Sequence, residues 1–449
     1  MICSSKVSTH DSVTAYIQNT ESSADVGSAS FDNLSYLQRI RRFSRNAKLY
    51  MVHTFGMDFI YGTWEVIFNL YLLAIGFNAA FIGLRLLIAG IVGAAAAFPS
   101  GLVSDRIGRK ASFILGDGGG AAIALIEITS TNPVVLLSTP AIKSIFGTLH
   151  HVTESPFMAE NSEPPERVHL FSVATGFRTV AAMFGALGIA AFPIIGATVE
   201  GKILFYRTLV AVGILGWFLS LIPALMLRTK VQERRGRRTF GLTLRNVKHL
   251  KVIRNLVGSN ALIALGGGFT LPFLQVYFKV GLDAHEVYIG GTYAVGSAFL
   301  AVGSFLAPFL VARLGKVSAI FVARIFSIPF ILLLALTSQL GEPLGIALGL
   351  ASIAFVARNA LMNMSNPVYE AFSMELLDPS ERGSYVGLDT SVSSILNGAA
   401  SLIGGALMAK GDFLTPFLVM ASLYTAGIIT FLRLFRPLEE RIVPSPISA

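Results

Sequence analysis

Gly101-Leu-Val-Ser-Asp105-Arg106-Ile-Gly108-Arg109-Lys110 separates two long apolar stretches, and its reading decides the fold. One acid, three bases and two glycines cannot rest in hydrocarbon, where a single central charge costs at least ~2.5–3.5 kcal/mol. The stretch is therefore expected to be a tight aqueous turn between two helices. Its glycines allow close approach, and Asp105 can accept backbone N–H groups or pair with a base.

Outward from this turn, apolar runs long enough to cross ~30 Å of hydrocarbon recur along nearly the whole chain. Segments are expected near 50–76, 80–104, 109–130, 133–158, 168–193 and 203–228, then near 255–280, 286–312, 317–338, 343–372, 383–409 and 413–434. The composition agrees: 53% of the 449 residues are hydrophobic, and only 14% are charged. Soluble domains carry roughly 25% charged residues, so a long water-soluble chain is excluded. Mean hydropathy is +0.66.

The net charge of +9 would invite nucleic acid in a soluble protein. Here the bases gather at segment ends, as membrane topology requires, and no nucleic-acid partner is expected. Cys3 is the only cysteine, so no disulfide framework or cysteine metal site arises. The first 45 or so residues are polar and lack the apolar core of a cleavable signal peptide.

Five regions are expected: a polar tail at 1–48, a six-helix bundle at 49–228, a basic linker at 229–254, a second six-helix bundle at 255–436, and a tail at 437–449. The bases fall on alternate connections: the 101–110 turn, Arg167, the linker, Arg313 with Lys316, Arg382, and Arg433 with Arg436. That asymmetry places both termini in the cytoplasm, with the chain in the cell membrane.

The halves repeat. Glu160-Asn-Ser-Glu163-Pro164-Pro-Glu166-Arg167 and Glu375-Leu-Leu-Asp378-Pro379-Ser-Glu381-Arg382 share one pattern, 215 residues apart. The opening turn returns in weaker form at Ala312-Arg313-Leu-Gly315-Lys316, 207 residues on, with Ala312 in place of the acid.

The pattern G-x-x-x-D-R-x-G-R-K resembles the signature loop between the second and third helices of the major facilitator superfamily. The resemblance covers residues 45–436. It implies an all-α membrane protein of twelve transmembrane helices in two pseudo-symmetric six-helix halves, working as a secondary transporter by alternating access. It implies that helices one, four, seven and ten line the central path. It also implies a conformational latch in which Gly101, Asp105, Arg106, Gly108 and Arg109 act with Glu160, Glu163, Arg167 and Arg382. In that arrangement Asp105 faces the start of the eleventh helix near Gly383 and Ser384.

Polar residues at membrane depth are the candidates for the substrate and proton path. On the first segment Asp58, Tyr61, Glu65 and Asn69 share one helical face. The fourth carries Lys143, His150, His151 and Glu154, with Lys143, His150 and Glu154 on one stripe. A metal held by His151 and Glu154 lacks a third ligand, and no metal or other cofactor is expected. The tenth carries Arg358, and Asn359, Asn363, Asn366 and Glu370 at steps of four, three and four, a face that should line a cavity. Asn260, Gln275 and Tyr277 offer a fourth wall on the seventh. Arg178 is expected to pair with an acid across the bundle, and Asp389, Asn397 and Arg324 with neighbouring helices.

Lys143-Ser-Ile-Phe-Gly147 is similar to the R-x-x-x-G of drug/proton antiporters, with Lys for Arg. Gly188 to Ala197 is similar to G-x-x-x-G-P-x-x-G-G, keeping Gly188, Pro193 and Gly196 but with Phe192 and Ala197 in place of two glycines. These matches point to proton-coupled efflux of a small molecule. The amides of the tenth segment support import of a polar metabolite instead, and a non-transporting sensor or assembly factor would reuse the same fold. The expected partners are a small molecule, protons and the bilayer, and the expected state is a monomer. Gly116-Asp117-Gly118-Gly119-Gly120, Gly266-Gly267-Gly268 and Gly404-Gly405 lie in membrane segments and read as close helix packing. No P-loop, nucleophile elbow or zincin motif is present, so neither an ATP-driven pump nor an enzyme is expected.

Overall fold

In the computed structural model, residues 34–188, 198–228, 249–340, 344–378 and 381–442 are described. The first 33 residues, the antiporter-like positions Phe192, Pro193, Gly196 and Ala197, linker residues 229–248, Pro379 and the last seven residues lie outside them.

Twelve helices of membrane length follow one another. In the first half they are α1 Arg45–Ala74, α2 Ala79–Ile107, α3 Arg109–Thr129, α4 Pro133–Glu160, α5 Arg167–Leu187 and α6 Val199–Leu225. In the second they are α7 Leu250–Thr270, α8 Glu286–Leu314, α9 in two pieces (Lys316–Ile325 and Ile328–Thr337), α10 Leu344–Glu375, α11 Arg382–Ala409 and α12 Leu414–Ile442. A short helical run to Gly281 continues α7.

Ten of these are long and apolar enough to cross a membrane by composition alone. The two that fall short are α1 and α4, each carrying four polar candidates. Their helical state rests on neighbours that satisfy those groups, since lipid could not.

The 101–110 stretch differs from the expected turn. Helix α2 runs on through Ile107, and Gly108 alone reverses the chain before α3 begins at Arg109. One residue suffices because Gly108 takes φ +89°, where a Cβ would clash. Gly315 does the same in the second half at φ +79°. Around each glycine the same ion pair forms. Arg109 Nη2 lies 2.8 Å from Glu160 Oε1, and Lys316 pairs with Glu375. The repeat read from the sequence is thus a repeat of contacts.

Glycines set the close helix crossings. Gly62 of α1 meets the backbone of Ala182 on α5, and Gly185 of α5 meets the backbone of Phe59 on α1. Between the halves, Gly90 of α2 meets Ser394 of α11, while Gly398 of α11 faces Leu86. A methyl group at Gly116 would lie 2.9 Å from the Phe146 carbonyl of α4, and Gly268 and Gly404 are filled by Asn397 and Phe269. The glycine runs are helix contacts, as their place in apolar segments suggested.

The two halves meet closely at the end carrying the 75–78 and 410–413 connections. There Gly405 abuts the Ala79 carbonyl, Asn69 Nδ2 donates to the Pro272 carbonyl at 2.8 Å, and Lys202 lies 3.6 Å from Glu286. At the other end the pairs Arg109–Glu160 and Lys316–Glu375 each stay inside one half. A short helix, Tyr36–Arg42, starts from a Ser35–Gln38 capping box, and its Tyr36 ring stacks on Phe309 of α8.

Candidate functional site

The faces that α1, α4 and α10 turn toward one another border open space between the halves. Tyr61 is 59% exposed although it sits mid-helix among buried neighbours, and Glu65 one turn on is exposed as well. Across the space, Asn359, Asn363, Asn366 and Glu370 of α10 are half-buried, and His151 of α4 is exposed. Arg358 is buried, donating to Asn359 Oδ1 at 2.7 Å and to the Tyr424 hydroxyl at 3.1 Å. Its charge acts on Glu65 across the two halves. Asn366 Nδ2 donates to Asn363 Oδ1 at 3.1 Å, so the amides form a linked row.

Arg178 of α5 is the hub on the other side. Its Nε lies 2.9 Å from Asp58 Oδ2, and its Nη1 binds Glu154. Glu370 of α10 also acts on it electrostatically, and Glu370 and Glu154 act on each other. Two carboxylates, on α1 and α4, bind one guanidinium, and a third, on α10, lies within its electrostatic reach. In low dielectric that charge does not balance, and a bound cation, a proton being the smallest, would balance it. The acid expected opposite Arg178 is present twice over.

A second charged cluster went unread in the sequence. Glu127 of α3 is fully buried, binds Arg85 of α2, and lies 2.6 Å from Lys143 Nζ of α4. Lys143 also sits 3.7 Å over the Trp64 ring, and Arg85 donates to the Leu136 carbonyl at 2.8 Å. Lys143 therefore does not share a stripe of contacts with His150 and Glu154; its partner comes from the neighbouring helix.

His150 is also displaced from its expected place. It is 2% exposed and turns away from the cavity, with Nδ1 2.9 Å from Asp117 Oδ2 of α3. His53 of α1 binds the same oxygen through Nε2 at 2.9 Å. Neither His53 nor Asp117 stood out, because one lay near the end of its segment and the other inside a glycine run. An ionisable residue at membrane depth was the available signal for Asp117, Glu127 and Arg85. Glu154 binds Arg178, and the His151 ring lies edge-on to that of His150 with centroids 5.7 Å apart.

The seventh helix supplies less of a wall than expected. Tyr277 is wholly buried, its hydroxyl held by Thr337 at 2.5 Å, and Gln275 accepts from the Tyr293 hydroxyl at 3.0 Å. Asn260 donates to both carboxylate oxygens of Asp389, at 3.0 and 3.2 Å. Arg324 donates to Ser365 Oγ at 2.9 Å, and Asn397 donates to the Ala264 carbonyl at 3.4 Å. These three are inter-helix partners, as expected.

Of the loop residues, Asp105 does not reach residues 383 and 384 in the described structure. Its carboxylate lies 2.9 Å from Arg109, one turn on across Gly108. Arg382 Nε donates to the Met374 carbonyl at 2.9 Å, closing the end of α10 onto the start of α11. His249 and Glu381 join the starts of α7 and α11, with Nδ1 2.7 Å from Oε2. Glu163 and Glu166 form a small capping turn before α5, and Arg167 is buried beside it.

Comparison with known proteins bears on the whole fold. The family profile described as Major Facilitator Superfamily matches residues 49–366. A bacterial homologue of the iron transporter ferroportin superposes with a TM-score of 0.63 at 16% identity, covering 87% of this chain and 99% of that one. The nucleoside transporter NupG gives 0.58 at 16% identity, covering 88% and 100%. The E. coli fucose:proton symporter FucP gives 0.60 at 14% identity, covering 86% and 98%. These similarities show the fold alone. A search of curated sequences found no match. With its glycine turns, paired loops and twelve helices in two halves, the chain belongs to the major facilitator superfamily of membrane transporters.

Proposed function

We propose that this transporter exports a small molecule by alternating access, driven by protons. The observation that carries the reading is Arg178 held by Asp58 and Glu154, with Glu370 within its electrostatic reach. These carboxylates come from α1, α4 and α10, so binding a proton there alters electrostatic interactions between the halves as well as contacts within one. A group bound differently in two states shifts the balance between them by that difference. Arg358 of α10, within electrostatic reach of Glu65 of α1, adds a second charge interaction between the halves. The substrate path is assigned to Asp58, Glu65, Asn69, Lys143, His151 and Glu154 with Arg358, Asn359, Asn363, Asn366 and Glu370. His150 serves through Asp117 instead.

Efflux is favoured by the antiporter-like Lys143-x-x-x-Gly147. Import of a polar metabolite is the second reading, favoured by the linked amides Asn359, Asn363 and Asn366. Both termini are assigned to the cytoplasm of a cell-membrane monomer. Single cysteines near Gly236 and Asp283, in a Cys3→Ser background, should label from opposite sides.

The experiment starts with a thermal-shift screen of purified protein against a broad compound panel, since a ligand of the native state raises apparent stability. A hit is then followed in proteoliposomes for counterflow and for pH-driven accumulation. Glu65→Gln and Asp58→Asn should abolish accumulation under a pH gradient while exchange at equal pH survives. Wild-type accumulation in both variants would defeat the proton assignment, and failure of counterflow with every binder would favour a sensor.

A further inference from the structure

The buried pair of histidines on α1 and α4 cannot be satisfied by the protons that neutral rings carry. His53 is 0% exposed, with Nδ1 2.7 Å from the Ser220 carbonyl of α6 and Nε2 2.9 Å from Asp117 Oδ2. A backbone carbonyl only accepts, and so does an ionised carboxylate. A neutral imidazole has one N–H, so one of the two contacts would set lone pair against lone pair. His150 poses no such difficulty. Its Nδ1–H donates to the same Oδ2 at 2.9 Å, and its Nε2 can accept from the Tyr50 hydroxyl at 3.4 Å.

The proton count is therefore one short for two neutral rings and an ionised carboxylate. One added proton satisfies every contact, as an imidazolium on His53 or as a carboxylic acid on Asp117. We propose that His53, Asp117 and His150 form a buried proton-binding site between α1, α3 and α4, occupied by one proton in the conformation described.

The charge balance supports this. With the proton the triad is neutral; without it, a carboxylate 1% exposed would stand with no cation of its own, which is costly in the interior. The groups facing the triad are Tyr50 and Asp58 from α1, His151 and Glu154 from α4, Arg178 from α5, and the Ser220 carbonyl from α6; Glu154 also engages the Tyr50 hydroxyl. Arg178 is already engaged by Asp58 and Glu154. The matched positions of the second half, Asn260, Arg324 and Ser365, carry no histidine or carboxylate. Arg324 stands 207 residues from Asp117, Ser365 stands 215 from His150, and they are joined at 2.9 Å. A guanidinium and a hydroxyl hold that contact in one charge state. The site is distinct from the Arg178 cluster, and the test below involves no transport.

The test is ¹⁵N-histidine NMR of the full-length protein in lipid at about pH 8, where ordinary histidines are neutral. Infrared spectroscopy on the same sample reads a protonated carboxyl, and metal analysis reads bound zinc. An imidazolium signal lost in His53→Gln, or a carboxylic-acid band lost in Asp117→Asn, supports the site. Either signal must persist in His249→Gln, which removes the histidine paired with Glu381. If one triad variant fails to fold, the other assigns the signal. Neutral rings with an ionised Asp117 in the wild-type protein overturn the proposal. So does stoichiometric zinc that a chelator removes together with the hydrogen-bonded signals.

Discussion

The two halves share a frame and differ in what they bury. Each turns on a glycine at positive φ, Gly108 or Gly315, and each ties that turn to the end of its fourth helix by an ion pair. Inside, the halves part. The first holds Arg178 with Asp58 and Glu154, Glu127 with Arg85 and Lys143, and the histidine triad. At positions matched by the 207- and 215-residue offsets, the second has Leu334 for Glu127, Arg324 for Asp117 and Ser365 for His150. Lys143 is matched by Arg358, so a cation stands at the same place in both halves. A duplicated scaffold has thus kept its joints and divided its chemistry, with the buried histidines and most of the ion pairs in one half and the linked amides, with Glu370 and Asp389, in the other.

Arg178→Ala should break the comparison hardest. It leaves two buried carboxylates without their cation, a loss of ~3–5 kcal/mol in line with other broken buried pairs. Arg324→Ala removes a hydrogen bond to Ser365 and a ring contact, and should cost ~1–3 kcal/mol. Thermal unfolding of the two variants side by side checks the ranking, and equal losses would mean that the halves bury charge alike. Next come Gly108→Ala and Gly315→Ala. Each forces a Cβ into a conformation that costs ~1–3 kcal/mol, and the same scans should show equal effects in both halves.

Asp105→Asn should change stability by less than ~1 kcal/mol, because its pair with Arg109 is partly exposed. Its effect should fall on rate. In a conformation where the turn reaches the start of α11, Asp105 can face that helix's positive end, and ~1–3 kcal/mol there shifts the ratio of states about 5- to 150-fold. The variant should therefore transport more slowly at normal expression, while Arg313→Ala, beside Ala312, should be milder. Smallest of all, Glu160→Gln and Glu375→Gln should each lower the melting point only slightly, since such exposed pairs contribute ~0–1 kcal/mol.

Much of this was legible in the sequence, for physical reasons. Helix spans come from hydrophobic run length, so α3 at Arg109–Thr129 was expected at 109–130. The loop pairs came from matched charges at fixed offsets. In the 101–110 stretch, charges at a helix end and charges in a loop look alike in sequence, and only the structure shows that Gly108 does the reversing alone. Helical spacing shows which residues share a face, as for Asn359, Asn363 and Asn366. It does not show which helix that face meets. Lys143 and Glu127 are 16 residues apart, and His53 and Asp117 are 64 apart; only packing brings them together.

The central claim is that protonation of the Arg178 carboxylates moves one half against the other. Ile107 and Leu314 occupy matched places at the ends of α2 and α8, and are 41% and 42% exposed. Spin labels at these two positions, in a Cys3→Ser background in lipid, report that movement without any need for the substrate. We expect the distance distribution of the parent protein to shift between about pH 5.5 and pH 8, and that of Asp58→Asn with Glu154→Gln to stay fixed across the same range. An unchanged distribution in the parent, or an undiminished shift in the double variant, would contradict the claim.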